Sequence, residues 1–551
     1  MEGPSGFRGA YRIDDDARAA YSEAAGIGRV LPSAVAEPVD VDDLVALVRW
    51  ASDTRTPLVP RGSGSSMPGG AIGSGVIVDL SRWNRIGDVD VTRRAVRVGP
   101  GATRGAVDTA ARARGLRFPV DPSSGAFCTV GGMASTNAAG ARSLKFGSTR
   151  QWVNALDCVF ADGSRASIAR GAPPPRGIPA IDRFLDVAPT LVRAEGANPS
   201  VHRGVLKESS GYAIADFASS GELVDLLVGS EGTLAFFVEI ELRLVPVAGA
   251  TSSLLSAFSS LEDAVVAAGR ARSAGAVACE LLDRTFLEVA ASGGASDLPA
   301  DTEAALLVEV EGPDAANAAE SARVVERAFR DAGETVTRMA LDPVHETEIW
   351  ELRHAASPIL ARLDARLRSM QFVEDCAVPP EHLPAYVRGV RRILAENDTR
   401  GVIFGHAGDS HVHVNPLIDV GRADWRARVE RILADVATLA ASLGGTLAGE
   451  HGDGRLRTPL LPELWSATAI ERFRTVKGAF DPSHILNPGV KTTLPGQIPL
   501  GEIKYDPTLS PLPPRARAVL DRVERDRAYS LSRLRLLDDG VRDLSIEARS
   551  G

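Results

Sequence analysis

Cysteine is scarce: Cys128, Cys158, Cys279 and Cys376 are the 4 in 551 residues, and no two form a CxxC. That spacing excludes a disulfide framework, a thiolate zinc site and an iron–sulfur cluster built from this chain; four reduced thiols in cytoplasm are expected. Lysine is confined to Lys145, Lys207, Lys477, Lys491 and Lys504, so positive charge is nearly all arginine. Acidic residues (71) outnumber Lys plus Arg (62), giving a formal charge of −9. No global field therefore gathers nucleic acid or an anionic membrane, and an anionic substrate needs a local positive cluster. No apolar run reaches the roughly 18 residues of a spanning helix, and Met1–Asp16 lacks a basic start before an apolar core. The expected location is cytoplasmic, with peripheral contact at the inner face of the membrane left open. What is present, 44% hydrophobic and 24% charged residues, is the balance of a soluble globular chain long enough for two or three domains.

Along the chain, a helix begins at Asp40, a plausible N-cap followed by Asp42 and Asp43. The strand Pro57–Pro60 leads into Arg61-Gly-Ser-Gly-Ser-Ser-Met-Pro-Gly-Gly, followed by the strand Gly75–Leu80. A second small-residue stretch runs from Asp121 to Gly140. Strands are expected at Leu223–Val228 and Phe236–Val247, and helices at 261–273 and 314–332. Short strands broken by glycine turns point to an α+β fold. The boundaries are an N-terminal segment 1–32, a first domain 33–247, a second 248–445, a returning segment 446–494 and a tail 495–551 that reads as an appendage. No repeat of fixed period appears.

Three constellations carry chemistry. The Pro60–Gly70 loop exposes backbone N–H groups and hydroxyls and suits either a flexible loop or a phosphate cradle. It is no dinucleotide fingerprint, since Met67 stands at the third glycine position. The Thr129–Gly140 stretch shares its features, and two such stretches favour one extended phosphate-bearing cofactor. In Gly405-His-Ala-Gly-Asp-Ser-His-Val-His-Val-Asn, strand alternation puts His411, His413 and Asn415 on one face, with His406 folded back across a turn. That is a candidate divalent-metal site or a His-rich surface strand. Gly449-Glu450-His451-Gly offers a third ligand and a general base, or a solvated turn. Arg353, on an expected helix, could clamp a carboxylate bidentately.

Taken together and in order, Pro60-Arg-Gly-Ser-Gly, Asp121-Pro-Ser-Ser, Thr129-Val-Gly-Gly-Met, Ser210-Gly-Tyr, Val228-Gly-Ser-Glu-Gly-Thr-Leu, His406-Ala-Gly-Asp with His413, Gly449-Glu-His-Gly and Asp481-Pro-Ser-His-Ile-Leu-Asn-Pro-Gly resemble the flavin-dependent oxidoreductases of the vanillyl-alcohol oxidase superfamily. The resemblance spans roughly residues 33–491 and is to the D-2-hydroxyacid dehydrogenase branch. It implies a PCMH-type FAD-binding domain and an α+β substrate-capping domain. FAD contacts are implied at Pro60, Arg61, Gly62, Ser63, Gly64, Ser65, Asp121, Ser124, Thr129, Gly131, Gly132, Ala134, Asn137, Glu231, Gly232 and Asn487. It further implies a zinc-like divalent ion on His406, His413 and Glu450, a base at His451, and a substrate carboxylate held by Arg353 and Asn415. The implied reaction takes a D-2-hydroxyacid to the 2-oxoacid, with hydride passing to flavin N5.

Three departures refine the expectation. His411 stands where similar enzymes have a small polar residue and competes as a ligand. Val373-Glu-Asp-Cys-Ala-Val-Pro lacks the lysine that hydroxyglutarate-specific enzymes place there, although Arg368 could replace it. The tail lacks cluster cysteines, so electrons are expected to leave through a separate iron–sulfur protein, a quinone or a soluble acceptor other than NAD. With no histidine in residues 60–70, the flavin is expected to be non-covalent, and Cys128 an inert thiol. A transferase like alkylglycerone-phosphate synthase and a non-catalytic flavin relay share the fold; a relay would need neither the base nor the metal ligands.

Overall fold

The computed structural model describes residues 3–292, 298–360 and 366–539. Asp40 starts the first long helix, Val41–Thr54, by accepting the Asp43 N–H at 3.0 Å. Leu44, Leu47, Val48 and Ala51, three and four residues apart, form its buried face, and Arg55 ends it in the left-handed conformation (φ 55°). That face covers a small sheet in which Ala34–Glu37, Val76–Asp79 and Leu58–Arg61 run parallel, with Ala10–Arg12 antiparallel at the edge.

Parallel strands need cover on both faces. The helix covers Ala34, Ala36, Leu58, Val76 and Val78. The other face is covered by the helix Asp15–Ala20 together with the segment expected to be an appendage: Ala17, Ala19, Ala20 and Tyr21 join Ala516, Val519, Leu534, Leu536 and Leu537 in one buried cluster with Val35, Val59 and Ile77. The tail's charged composition hides an apolar stripe at Ala516, Val519, Leu520 and Val523 on the helix Pro514–Asp526. Residues 540–551 of the tail lie outside the described residues.

A second, antiparallel sheet orders Ala95–Val98, Phe236–Arg243, Val153–Val159 and Arg165–Ala169. The helix Ala467–Phe480, from the returning segment, inserts Phe473, Val476 and Phe480 into its core. Two expectations change here. Leu223–Leu227 is a helical turn, not a strand; all five residues, Asp225 included, are buried, and so short a mainly apolar run has the same pattern in either state. The Gly131-Gly-Met-Ala run is not a loop but the helix Val130–Thr136, capped by Thr129, whose hydroxyl accepts the Gly132 N–H, and ended by left-handed Asn137 (φ 53°).

The largest sheet runs Glu334–Ala340, Ala250–Phe258, Ala304–Gly312, Ala278–Asp283, Arg400–His406, His411–Asp419 and Leu367–Ser369, with Cys376–Ala377 also paired to the His411 strand. One face is packed by the helices Leu261–Ser273, Ala315–Arg330, Leu383–Glu396 and Trp425–Ser442. On the other face the helix Pro343–Leu360 covers only part of the sheet, through Leu352 against Leu255, Leu282 and Val402. The uncovered part carries Glu280, His406, His413 and Asn415. Among the described residues no helix is long and apolar enough to cross a membrane.

Candidate active site

Strand register assembles the histidine cluster. Glu280 lies opposite His406, Phe404 opposite His413 and Val402 opposite Asn415. Alternate residues Val412 and Val414 point into the core, so His411 and His413 share the other face, their ring centroids 4.7 Å apart. The Ala407–Asp409 turn, closed by left-handed Ser410 (φ 54°), brings His406 within 5.3 Å of both rings. Glu450 Oε1 completes the group, 3.2 Å from His406 Nε2 and 3.4 Å from His413 Nε2.

The outer hydrogen bonds fix which nitrogen faces inward. His413 Nδ1 donates to the Glu374 carbonyl at 2.6 Å, and His406 Nδ1 donates to Glu280. With neutral rings, both Nε2 lone pairs are then aimed at a carboxylate oxygen, a repulsive arrangement that only a cation or an added proton relieves. His406 responds to this: burial opposes its charge, but Glu280 lifts its pKa to about 9. Two imidazole nitrogens and a carboxylate oxygen form a donor set suited to zinc and similar ions, so these residues fit a divalent metal. His411 contributes a further candidate atom: Asp375 Oδ1 holds its Nε2 at 2.8 Å, and its buried Nδ1 has no partner. Ligand atoms of His406, His411, His413 and Glu450 all lie within 4.8 Å of one another.

The Glu450-His451 segment is a buried turn rather than a solvated one. Asp375 accepts the N–H groups of Glu450 and His451, at 3.2 and 2.9 Å. Arg457, almost fully buried, locks Asp375 at 2.8 Å and also binds Glu374. Burial opposes ionisation of Asp375, but His451 and Arg457 outweigh it and hold its carboxyl well below the usual range. His451 Nδ1 lies 3.1 Å from Glu374 Oε1. Burial would discharge this imidazole, yet Asp375 and Glu374 raise its pKa to about 9. Arg353 is anchored through Nε to Glu280 Oε2 at 2.7 Å, with its guanidinium 4.5 Å over the Phe404 ring.

This cluster and the glycine loops open onto one continuous cavity of 2320 Å³. Its walls include His406, His413, Glu450, His451, Arg353 and Asn415, and, from the expected cofactor residues, Pro60, Arg61, Gly62, Ser63, Gly64, Ser65, Asp121, Ser124, Thr129, Gly131, Gly132, Glu231 and Gly232. Ala134, Asn137 and Asn487 stand behind the wall. Asn137 Oδ1 accepts the Arg150 N–H at 2.9 Å, and Asn487 Nδ2 ties the Gly70 and Glu231 carbonyls at 3.0 and 2.8 Å. The Glu231 carboxylate is likewise occupied, by the N–H groups of Asp453 and Gly454 and by Lys491 at 3.1 Å. The loop touches the cap of that helix: a Cβ on Gly62 would lie 2.2 Å from Thr129 Oγ1. Among the described residues, the backbone N–H groups of Gly62 to Ser66 donate to no protein acceptor. Unpaired amides on a glycine-rich loop suit an anion, so this wall fits a phosphate-bearing cofactor.

Sequence reading missed the supporting residues: Glu280, Glu374, Asp375, Arg457 and Lys207, the last 2.7 Å from Glu450 Oε2. The one available signal was Glu374-Asp375 between apolar neighbours, since an acidic pair in a buried strand needs cationic partners.

A two-sheet lobe, a capping sheet and a shared cavity with an amide-lined wall make the framework of an enzyme that holds a phosphate-bearing cofactor, and the comparisons identify it as an FAD-linked oxidoreductase. The family described as FAD binding domain matches residues 32–168, and FAD linked oxidases, C-terminal domain, matches residues 249–490. The glycolate oxidase subunit GlcD of Bacillus subtilis is 30% identical over 463 residues, covering 83% of this chain and 88% of its own. A D-lactate dehydrogenase of Archaeoglobus fulgidus is 29% identical over 83% of this chain and 90% of its own. The 4-ethylphenol oxidase of Gulosibacter chungangensis shares the fold with TM-score 0.65 at 15% identity, over 88% of this chain and 94% of its own. The chain belongs to the FAD-linked oxidase family, as its ordered motifs implied.

Proposed function

We propose that this enzyme oxidises a D-2-hydroxyacid to the 2-oxoacid and passes the electrons to an acceptor other than NAD, a quinone or a separate iron–sulfur protein. The observation that carries the reading is the convergence of His406 Nε2 and His413 Nε2 on Glu450 Oε1, with His451 and Arg353 on the same cavity wall. When bound, FAD supplies the hydride acceptor, and a divalent ion on His406, His413 and Glu450 supplies a charge that polarises the substrate hydroxyl and opposes a resting imidazolium at His451. Arg353 and Asn415 hold the substrate carboxylate, the arginine kept in place by Glu280 and Phe404. His451 accepts the hydroxyl proton, and Glu374 and Asp375 stabilise the imidazolium that results.

The test is anaerobic flavin bleaching near 450 nm with a panel of D- and L-2-hydroxyacids, with and without chelator. Rapid bleaching by a D-acid, lost with chelator, is expected. Bound flavin that no hydroxyacid reduces would overturn the reading.

A further inference from the structure

The segment beyond the family match carries a buried arginine, Arg533, which is 2% exposed. Its Nη1 donates to the carbonyls of Tyr529 (2.7 Å) and Leu531 (2.8 Å), and its Nη2 crosses to the Ser63 carbonyl at 3.0 Å. Arg61, also 2% exposed, donates to the carbonyls of Tyr21, Ala71 and Glu23. Each guanidinium is engaged with backbone carbonyls rather than a carboxylate, and the Nε of each is buried without a partner. Burial, and then the charge of Arg533, push Arg61 down to about 10. Asp79 offsets part of this charge, but its own oxygens are held by the Tyr21 hydroxyl at 2.5 Å and the Ser81 N–H at 2.8 Å. Two buried guanidiniums that face only backbone carbonyls cost stability unless an anion joins them.

The backbone indicates where that anion sits. In a trans peptide the carbonyl and the following N–H point in opposite directions. With the Ser63 carbonyl held by Arg533, the Gly64 N–H is turned away from the tail. The Ala25 N–H holds the Gly64 carbonyl at 2.9 Å, so the Ser65 N–H points away from Ala25. Ser63, Gly64 and Ser65 all line the cavity. Apolar contacts at Leu534, Leu536 and Leu537 already fasten the tail, so anchoring alone does not call for a second buried charge beside Arg61.

We propose that Arg533 is a positioning residue of the FAD site: from behind the Pro60–Gly70 loop it holds the Ser63 carbonyl so that the loop amides face the diphosphate of the cofactor, and with Arg61 it sets fixed positive charge beneath that anion. This rests on the assignment of the loop to FAD.

The experiment strips FAD from the full-length protein and measures rebinding of FAD by flavin fluorescence, with ADP as a competing diphosphate. Arg533→Ala weakens both roughly 10- to 100-fold, Arg533→Gln does the same, and Arg533→Lys recovers part of the loss. Leu534→Ala, which loosens the tail without touching the guanidinium, lowers the melting temperature yet leaves FAD affinity within about threefold. FAD affinity within about threefold in both Arg533→Ala and Arg533→Gln, or an equal loss in Leu534→Ala, overturns the proposal. Gly62→Val separates the two readings. If it retains FAD, the loop assignment has failed; if it loses FAD while the Arg533 variants keep it, only the role of Arg533 has.

Discussion

The two ends of the cavity are built from different materials. At the glycine-rich end the wall presents backbone amides, and side chains hold the carbonyls from behind. At the histidine end the working groups are side chains, and two buried carboxylates, Glu374 and Asp375, organise ring orientation and a turn at once. A backbone site depends on shape and fails when a Cβ intrudes. A side-chain site depends on charge balance and fails when one partner is left alone.

If the two ends are separable in this way, His451→Ala lowers kcat by about 10³-fold, some 4 kcal/mol in barrier, while absorbance near 450 nm shows flavin content unchanged. Flavin loss in that variant would break the comparison. Asp375→Asn, which leaves Arg457 without half of its carboxylate support, destabilises the fold by about 3 kcal/mol, read as the urea midpoint of the purified protein. Glu280→Gln acts on the same end more gently: it keeps the strand register but weakens the hold on His406 and Arg353, and metal affinity falls about 10- to 100-fold, measured by competition with a chromophoric chelator while flavin stays bound.

The smallest effect belongs to the glycine-rich end. Burial, then the charge of Asp79, raise the carboxyl of Glu37, which accepts from Tyr21 and Ser532. A raised carboxyl favours the protonated fold, so its contribution is full below the ordinary carboxylate range and is lost as pH rises through the raised value. Glu37→Gln should flatten the fall in stability as pH rises above the ordinary carboxylate range, by on the order of 1 kcal/mol. An unchanged pH profile would place the titration elsewhere.

The same division explains what the sequence disclosed. Amide-based features leave local marks: Asp40 announced its helix, and Pro60–Gly70 its loop. The histidine strand was legible because alternation alone puts His411, His413 and Asn415 on one face. What could not be read are partners brought in from afar, such as Glu280 across a strand pair, Arg457 beneath Asp375 and Arg533 behind Ser63, because each follows from tertiary register and not from neighbouring residues. Leu223–Leu227 was misread because five consecutive buried residues have no period to measure. The tail was misread because its charge concealed a narrow apolar stripe.

The bond between Arg533 and Ser63 joins residues 470 positions apart. During synthesis the loop and its parallel strands emerge well before Ala516–Leu537, which complete the cover that Ala17, Ala19 and Ala20 begin over Val35, Val59 and Ile77. Until that segment emerges, the sheet face is only partly covered and the Ser63 carbonyl lacks Arg533. Closing so long a loop is among the slow steps of folding. Folding thus becomes order-dependent: the Pro60–Gly70 loop is finished only after the segment that carries Arg533 has left the ribosome.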